Sequence, residues 1–402
     1  MTGQGTLQRP ALSFVLMMAA LYSTIALSID AMLPALPEIA ASLSPDAPNR
    51  AQIVVTSFVL GMGIGTFFAG PLSDAFGRKP VILAGLGLYA LGALGCYFAN
   101  DLNSLLAARV IQGLGAAAPR VVGSAMIRDL YKGRTMAQVL SLIMTIFTLM
   151  PAIAPLMGQS IIAIGGWHMI FVFFIAFAAL CAVWVGFGQP ETLPAAQRRS
   201  LNLRDLAMGL REVLAQRVVL VSTAVQSLIL GGLFGTLSSL QGIFEQRFDR
   251  ADSFPLWFGL IALLSSVGAF ANSRLVQRLG MRRMVAGALW GMCAASAVLA
   301  CDSALHLLPA PFDFALLLAW AVMIFAAMGL SLGNLSAMAL EPLGHLAGMA
   351  SSAVTALSTV AAVVLAIPLG LAFDGTALPL ALGVCGFAAA ALGVLTLMRP
   401  QD

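Results

Sequence analysis

The stretch GPLSDAFGRKPV, residues 70–81, is a short polar break between two apolar runs, each long enough to cross a bilayer. It holds two glycines, Gly70 and Gly77, an acid, Asp74, and the adjacent bases Arg78 and Lys79. A second break of the same kind ends Gln277-Arg278-Leu279-Gly280-Met281-Arg282-Arg283, and its Gly280 lies 203 residues after Gly77. In both, a glycine lets the chain reverse tightly. The spacing is about half of the 402 residues, which predicts two similar halves arising by duplication. The later copy carries Gln277 in place of Asp74 and has lost its acid.

Outward from these breaks the chain is apolar nearly throughout. Hydrophobic residues make up 60% and charged residues only 9%. A water-soluble domain needs a far more polar exterior, whereas lipid solvates apolar side chains on every face of a helix. Twelve spans can be placed, at about 12–35, 50–72, 81–99, 103–128, 136–163, 167–188, 217–244, 255–273, 284–301, 313–340, 346–372 and 376–398. Each must be helical, because an open strand in hydrocarbon leaves backbone groups unpaired. The first run, from Ala11 to about Met32, reads as a membrane helix and lacks the pattern of a cleaved signal.

The net charge of +4 invites a nucleic-acid reading, but loop placement explains it. With the amino terminus inside, inside loops hold sixteen basic residues and outside loops only Arg50, Arg247 and Arg250. That asymmetry predicts both termini in the cytoplasm. The expected architecture is all-α, with twelve transmembrane helices in two six-helix bundles related by pseudo-two-fold symmetry. The bundles cover 1–188 and 217–402. Between them, 189–216 forms a cytoplasmic linker. Within it Leu203, Leu206, Leu210, Val213 and Leu214 recur at helical spacing after a start at Asn202 and Asp205. This predicts an amphipathic helix on the inner membrane surface.

Few residues inside the spans can do chemistry. Asp30 is the one acid placed there, and an ionised carboxylate in a bilayer must face a cavity or a partner. It is either a proton carrier or a satisfied structural acid near a helix end. Arg109 falls at similar depth in the fourth span, by 1.5 Å of rise per residue. It serves either as counter-charge to Asp30 or as a bridge to backbone carbonyls. Arg120, eleven residues on, shares a face with Arg109, with the small residues Gly113 and Ala116 between. Two arginines on one stripe suggest a cavity lining, Arg120 meeting substrate or an internal acceptor. Tyr22, two turns before Asp30, either hydrogen-bonds substrate or packs in the core. Asp129 ends the fourth span near Arg78 and could pair with it, while Asp74 could cap a helix of the other half. Pro151 and Pro155 should bend the fifth span. Gln226, Asn272, Asn334, Thr355, Ser358 and Thr359 are isolated polar groups in the second half. Most should bond to neighbouring helices; Gln226 and Asn334 are the candidates for the cavity. The five cysteines, all in apolar stretches without a CxxC pair, read as small buried hydrophobes. Three histidines in separate loops give no metal site.

The loop Gly70–Val81 resembles the signature loop of the major facilitator superfamily. The sequence RVIQGLGAAA from Arg109 is similar to a signature of its drug:proton antiporters. Pro151, Pro155 and Gly158 match the antiporter signature of the fifth span in part, with Ala154 and Gln159 where glycines are usual. IDAMLPALPEIA, residues 29–40, and MIRDLY, residues 126–131, resemble the Bcr/CflA drug-resistance branch. The resemblance implies a major facilitator fold in the bacterial inner membrane and a monomer that exports small amphipathic or neutral molecules against protons. It ties Arg109 to proton coupling. The contacts of Asp74, Arg78, Lys79 and Asp129 would hold the inside closed when the outside is open, a cytoplasmic gate; positive-inside topology alone explains Arg78 and Lys79 but not Asp74 or the glycines. The energy source is then the proton gradient, with no cofactor, no metal and no nucleic acid. A metabolite symporter or uniporter shares the fold and is the main alternative. A membrane-embedded enzyme would need paired acids, a histidine cluster or a serine with a base inside the spans, and none is present.

Overall fold

The computed structural model describes residues 12–198, 201 and 203–398. Arg9, Arg199, Asn202 and Arg399, part of the charge and helix-start readings above, lie outside the described residues, as do the side chains of Leu203, Asp205 and Leu206. Among those described there are fourteen α-helices and no strand. They are α1 Leu12–Asp30, α2 Leu36–Leu43, α3 Ile53–Phe76, α4 Arg78–Tyr97, α5 Leu102–Leu130, α6 Gly133–Gly165 and α7 His168–Gly188. The chain continues with α8 Leu203–Ala215, α9 Arg217–Gln246, α10 Phe254–Leu279, α11 Met281–Leu305, α12 Ala310–Leu340, α13 Ala347–Leu371 and α14 Leu378–Thr396. Among the described residues twelve segments are long and apolar enough to span a membrane, α1 and α2 counting together as one.

The first span differs from its expected form. Helix α1 stops at Asp30, a 3-10 turn covers Leu33–Ala35, and α2 continues the segment to Leu43. Pro34 and Pro37 explain the break, because each lacks an amide proton for the helical ladder. Elsewhere helices overrun the expected ends. Helix α11 reaches Leu305 and so takes in Asp302, and Asp313, already the first residue of the span expected at 313–340, lies in the first turn of α12. Asp30 is therefore not alone among acids in the long apolar helices. Asp302 accepts the amide of Leu308 at 2.9 Å, and Asp313 accepts from Arg247 at 2.7 Å.

Both breaks that opened the sequence argument turn on glycine. Gly77, between α3 and α4, has φ of 102°, and Gly280, between α10 and α11, has φ of 82°. With ψ near 150–160°, this is backbone that side chains essentially never adopt. We expect Gly77→Ala and Gly280→Ala each to lower stability by about 1–3 kcal/mol. The loss should be larger at Gly77, where an added Cβ would crowd the Glu191 carboxylate, than at Gly280, which faces open space. Thermal unfolding of the two purified variants checks the order.

Within the first half, α5 packs against α3 and α4, α4 against α7, and α1 against α6. The second half repeats the scheme with α9 against α13, α11 against α12 and α14, and α10 against α12. Between halves the main contacts are α3 with α13 and α6 with α10. Gly113 leaves no open volume on the stripe between Arg109 and Arg120 but lets α5 press onto α3: a Cβ there would strike the Phe58 carbonyl. Gly61 does the same from α3 towards the Val110 carbonyl. The linker helix α8 is amphipathic, and Leu210 and Val213 in its later turns sit on the second half. Val213 is fully buried with Val219, Ala339, Leu343, Ala350 and Val354. Of the cysteines, Cys96 and Cys181 are buried, but Cys301 is exposed on its helix, where lipid can solvate it.

Candidate transport cavity and coupling residues

A cavity of about 990 Å³ opens between the two halves. It extends to the end of the molecule that carries the glycine-turn loop, where Asp74, Arg78 and Arg128 border it. Helices α3 and α5 supply Met62, Thr66, Arg120 and Ser124, and α13 supplies Ser351, Ser352, Thr355 and Thr359. Tyr22 comes from α1, and Phe67 and Met349 add apolar wall. At the opposite end the halves are sealed by side-chain amides. Asn49 donates to the Leu371 and Phe373 carbonyls at 3.2 and 2.5 Å, Ser239 donates to Gln52 at 3.0 Å, and Gln159 donates to the Asp252 carbonyl at 3.2 Å. The cavity is thus open at one end and closed at the other.

Tyr22 and Arg120, both expected in the cavity, line it; Gln226 and Asn334 do not. Gln226 is buried, with its amide nitrogen lacking a partner among the described residues. Asn334 donates to Asn272 at 2.7 Å and to the Leu330 carbonyl at 2.8 Å, tying α12 to α10. A side-chain amide facing a neighbouring helix and one facing a cavity look alike in sequence. The serine and threonine hydroxyls at the start of α13 are better placed, and among them only Thr355 and Thr359 stood out beforehand.

Arg109 is fully buried and is not paired with Asp30. Its Nε donates to the Val54 carbonyl at 3.2 Å, and its terminal nitrogens donate to Gln112 at 2.7 Å and to the Ser28 carbonyl at 2.9 Å. The guanidinium also stacks over Phe58, 4.6 Å from the ring centre. The depth argument placed it correctly against α1, but on a carbonyl two residues short of the acid. Side chains two positions apart on a helix diverge by roughly 200°, so facing Ser28 means missing Asp30. Arg109 and Arg120, expected on one stripe of α5, also part company: Arg109 is sealed near the closed end, whereas Arg120 reaches the cavity. Ser28 and Tyr89 hydroxyls, 2.6 Å apart, complete this buried polar cluster.

Asp30 is buried at the break after α1 and lies outside the cavity wall. Its carboxylate has no ion pair or hydrogen bond among the described residues. Gly158 of α6 packs directly onto this break, where a Cβ would strike the Ala31 carbonyl. Pro155 and Pro151 sit about one and two turns earlier in the same unbroken helix, on the element that meets α10 of the other half.

At the open end Arg78 is the hub. It pairs with Asp129 at 3.1 Å and Asp74 at 2.5 Å, and donates to Ser73 at 2.7 Å. Asp74 therefore does not cap a helix of the other half in this conformation. Arg78 follows it at the fourth position, and the cavity lies between Asp74 and the first turn of α13. Lys79 donates to the Gly186 carbonyl at 2.6 Å, a cation at the carboxyl end of α7.

Sequence reasoning missed Glu191. Its carboxylate accepts the amides of Arg78 and Lys79 at 3.0 and 3.2 Å, capping the first turn of α4 from another segment. It also accepts the amides of Thr192 and Leu193, both at 2.9 Å, and Thr192 in turn donates to Asp129. The available signal was an acid in Pro190-Glu191-Thr192, directly after a span at the same end as the loop. Partial burial pushes this carboxyl up, but the amides of Leu193, Arg78, Lys79 and Thr192 outweigh it and hold the group below the usual glutamate range. A lowered folded value means the stabilisation is complete above the ordinary value and is lost as pH falls through the lowered one. We expect Glu191→Gln to cost about 1–2 kcal/mol at neutral pH and the difference from wild type to vanish in acid. Unfolding midpoints across a pH series check it.

Two similar helical halves around a cavity that reaches only one side define a secondary transporter, not an enzyme. The comparisons with known proteins agree. The Major Facilitator Superfamily profile matches residues 16–366, and the chain belongs to that family. It is 33% identical over 283 residues to the bicyclomycin resistance protein homolog of Haemophilus influenzae, covering 70% of this chain and 71% of that one. It is 30% identical over 325 residues to the multidrug resistance protein MdtL of Citrobacter koseri, covering 81% and 80%. Among solved structures, a D-xylose-proton symporter superposes with a TM-score of 0.74 at 16% identity, over 96% of this chain and 97% of that one; that likeness concerns the fold. The protein is a multi-pass inner-membrane transporter.

Proposed function

We propose that this transporter exports small drug-like molecules from the cytoplasm in exchange for protons, by alternating access. The relatives named for bicyclomycin and multidrug resistance support the cargo class. The observation that carries the mechanism is the division of labour within the molecule. The cavity opens at the end bearing the basic loops, while the unpaired acid Asp30 is buried away from it near the closed end. The excess of basic residues at the open end supports a cytoplasmic side for that end and, in this reading, for both termini.

In this reading substrate enters the open cavity from the cytoplasm. The amide seal of Asn49, Gln52 and Gln159 then parts, and the Arg78 loop closes the other end, a switch between two packed arrangements. Asp30 takes a proton from outside and gives it up inside. The gradient supplies the energy, without cofactor, and one chain suffices.

The test is drug accumulation in a bacterial strain lacking its major pumps, with and without this protein, using chloramphenicol and bicyclomycin. Expression should lower accumulation, and a protonophore should restore it. If instead expression raises accumulation and the protonophore lowers it, the protein is a symporter and the export reading fails.

A further inference from the structure

The walls of the cavity are positively charged, and the charge is not matched by protein. Among the described residues its ionised lining is Arg78, Arg120 and Arg128 against a single acid, Asp74. Asp74 is already engaged by Arg78, which Asp129 and Ser73 also satisfy. Arg120 and Arg128 are left with no ion pair among the described residues.

Arg128 lies at the mouth, where water can serve it. Arg120 is different. It stands ten residues in from the end of α5, about 15 Å deep at 1.5 Å per residue. It is exposed, and the space it is exposed to is the cavity. Arg109, on the same helix, shows how this fold treats a structural arginine: fully buried, with three acceptors and a ring face. Arg120 has none of these acceptors. A guanidinium held at membrane depth and aimed into open space is costly unless something anionic completes it.

Its surroundings fit that role. Tyr22 and Ser124 lie beside it, and the α13 hydroxyls of Ser351, Ser352 and Thr355 face the same space, all able to donate. Met62, Phe67 and Met349 supply adaptable apolar wall for the rest of the molecule. A cationic drug would meet net repulsion here. An uncharged one would leave Arg120 unanswered.

We propose that the cavity selects amphipathic anions, small molecules with an apolar body and one carboxylate or like acidic group, and that Arg120 binds that group. Carboxylate and guanidinium match as a planar bidentate pair. The inference departs from the neutral cargo expected from the sequence, and it rests on the export reading for its direction, though not for the binding itself. Export of an anion is also favoured by an inside-negative membrane potential.

The test is equilibrium binding to purified protein in nanodiscs, with empty discs as blank. Three fluorescent probes share one body: dansylglycine (anion), its amide (neutral) and dansylcadaverine (cation). Wild type should bind dansylglycine about tenfold or more tighter than the other two. Arg120→Gln should lose that preference while still binding the amide, which also reports that the variant is folded, and Arg120→Lys should keep part of it. Wild type that prefers the amide or the cation overturns the proposal whatever the variants do. So does Arg120→Gln that binds dansylglycine within about twofold of wild type. Binding needs no gradient, so the two readings can fail separately. Arg120-dependent binding in a protein that does not lower cellular accumulation sinks export alone; export of drugs with no preference for the anion sinks this proposal alone.

Discussion

Arg109→Gln is expected to abolish transport and to lower stability by about 3–5 kcal/mol, the scale for removing one member of a buried charged network. The side chain serves three acceptors on three elements: the Ser28 carbonyl of α1, the Val54 carbonyl of α3 and the Gln112 side chain of its own helix. Glutamine is shorter and offers two donors instead of five, so at least one buried carbonyl is left without a partner, and each such loss costs about 1–3 kcal/mol. Phe58 also loses the cation over its ring. Arg109→Lys keeps the charge but not the fork, and a single ammonium cannot span acceptors on α1 and α3 together. It should recover part of the stability and little of the transport. Unfolding midpoints beside transport rates in proteoliposomes separate the two effects. Lysine that restores transport fully would mean charge alone matters at this position.

Asp30→Asn should leave the protein folded and the cavity intact while removing uphill transport. The carboxyl has no ionic partner to lose among the described residues, and it lies outside the cavity wall. Asparagine is nearly isosteric but cannot carry a proton. Each coupled proton allows a one-unit pH gradient to sustain about a tenfold substrate gradient. In the variant that gradient should fall to unity. Exchange of labelled for unlabelled substrate, which needs no net proton movement, should continue at a rate comparable to wild type and lose its dependence on pH. Uphill transport retained by Asp30→Asn would move the proton site elsewhere, Asp302 being next, since one of its carboxylate oxygens is buried without a partner.

How far the sequence reached follows from what each signal measures. Hydropathy located the twelve spans because a bilayer demands long apolar helices whatever they pack against. Gly77 and Gly280 were legible because a tight reversal at φ near 80–100° admits little else. Arg78 with Asp129 could be foreseen because charges are scarce and both sit at the same end of the chain's spans. The contacts of Arg109 could not, since its acceptors on α1 and α3 are carbonyls, and every residue has one. The direction in which it points depends on helix rotation, a tertiary quantity. Glu191 was hidden because it caps α4 from 112 or 113 positions away. The amide seal of Asn49, Gln52 and Gln159 was hidden for a similar reason: each side chain looks like ordinary loop polarity until the opposite half is brought against it. Gln226 and Asn334 were chosen for polarity at membrane depth, and the fold satisfies that polarity at least for Asn334 by helix-to-helix bonding.

The most direct test of proton-coupled export is proton movement triggered by substrate alone. Everted membrane vesicles carrying the protein are energised until their interior is acid, a pH-sensitive dye follows the gradient, and substrate is added to the outside, the former cytoplasmic face. The account predicts an immediate partial loss of the acid gradient with wild type and none with Asp30→Asn. Substrate that equilibrates across wild-type vesicles with no proton movement would contradict it and leave a facilitator in which Asp30 is structural.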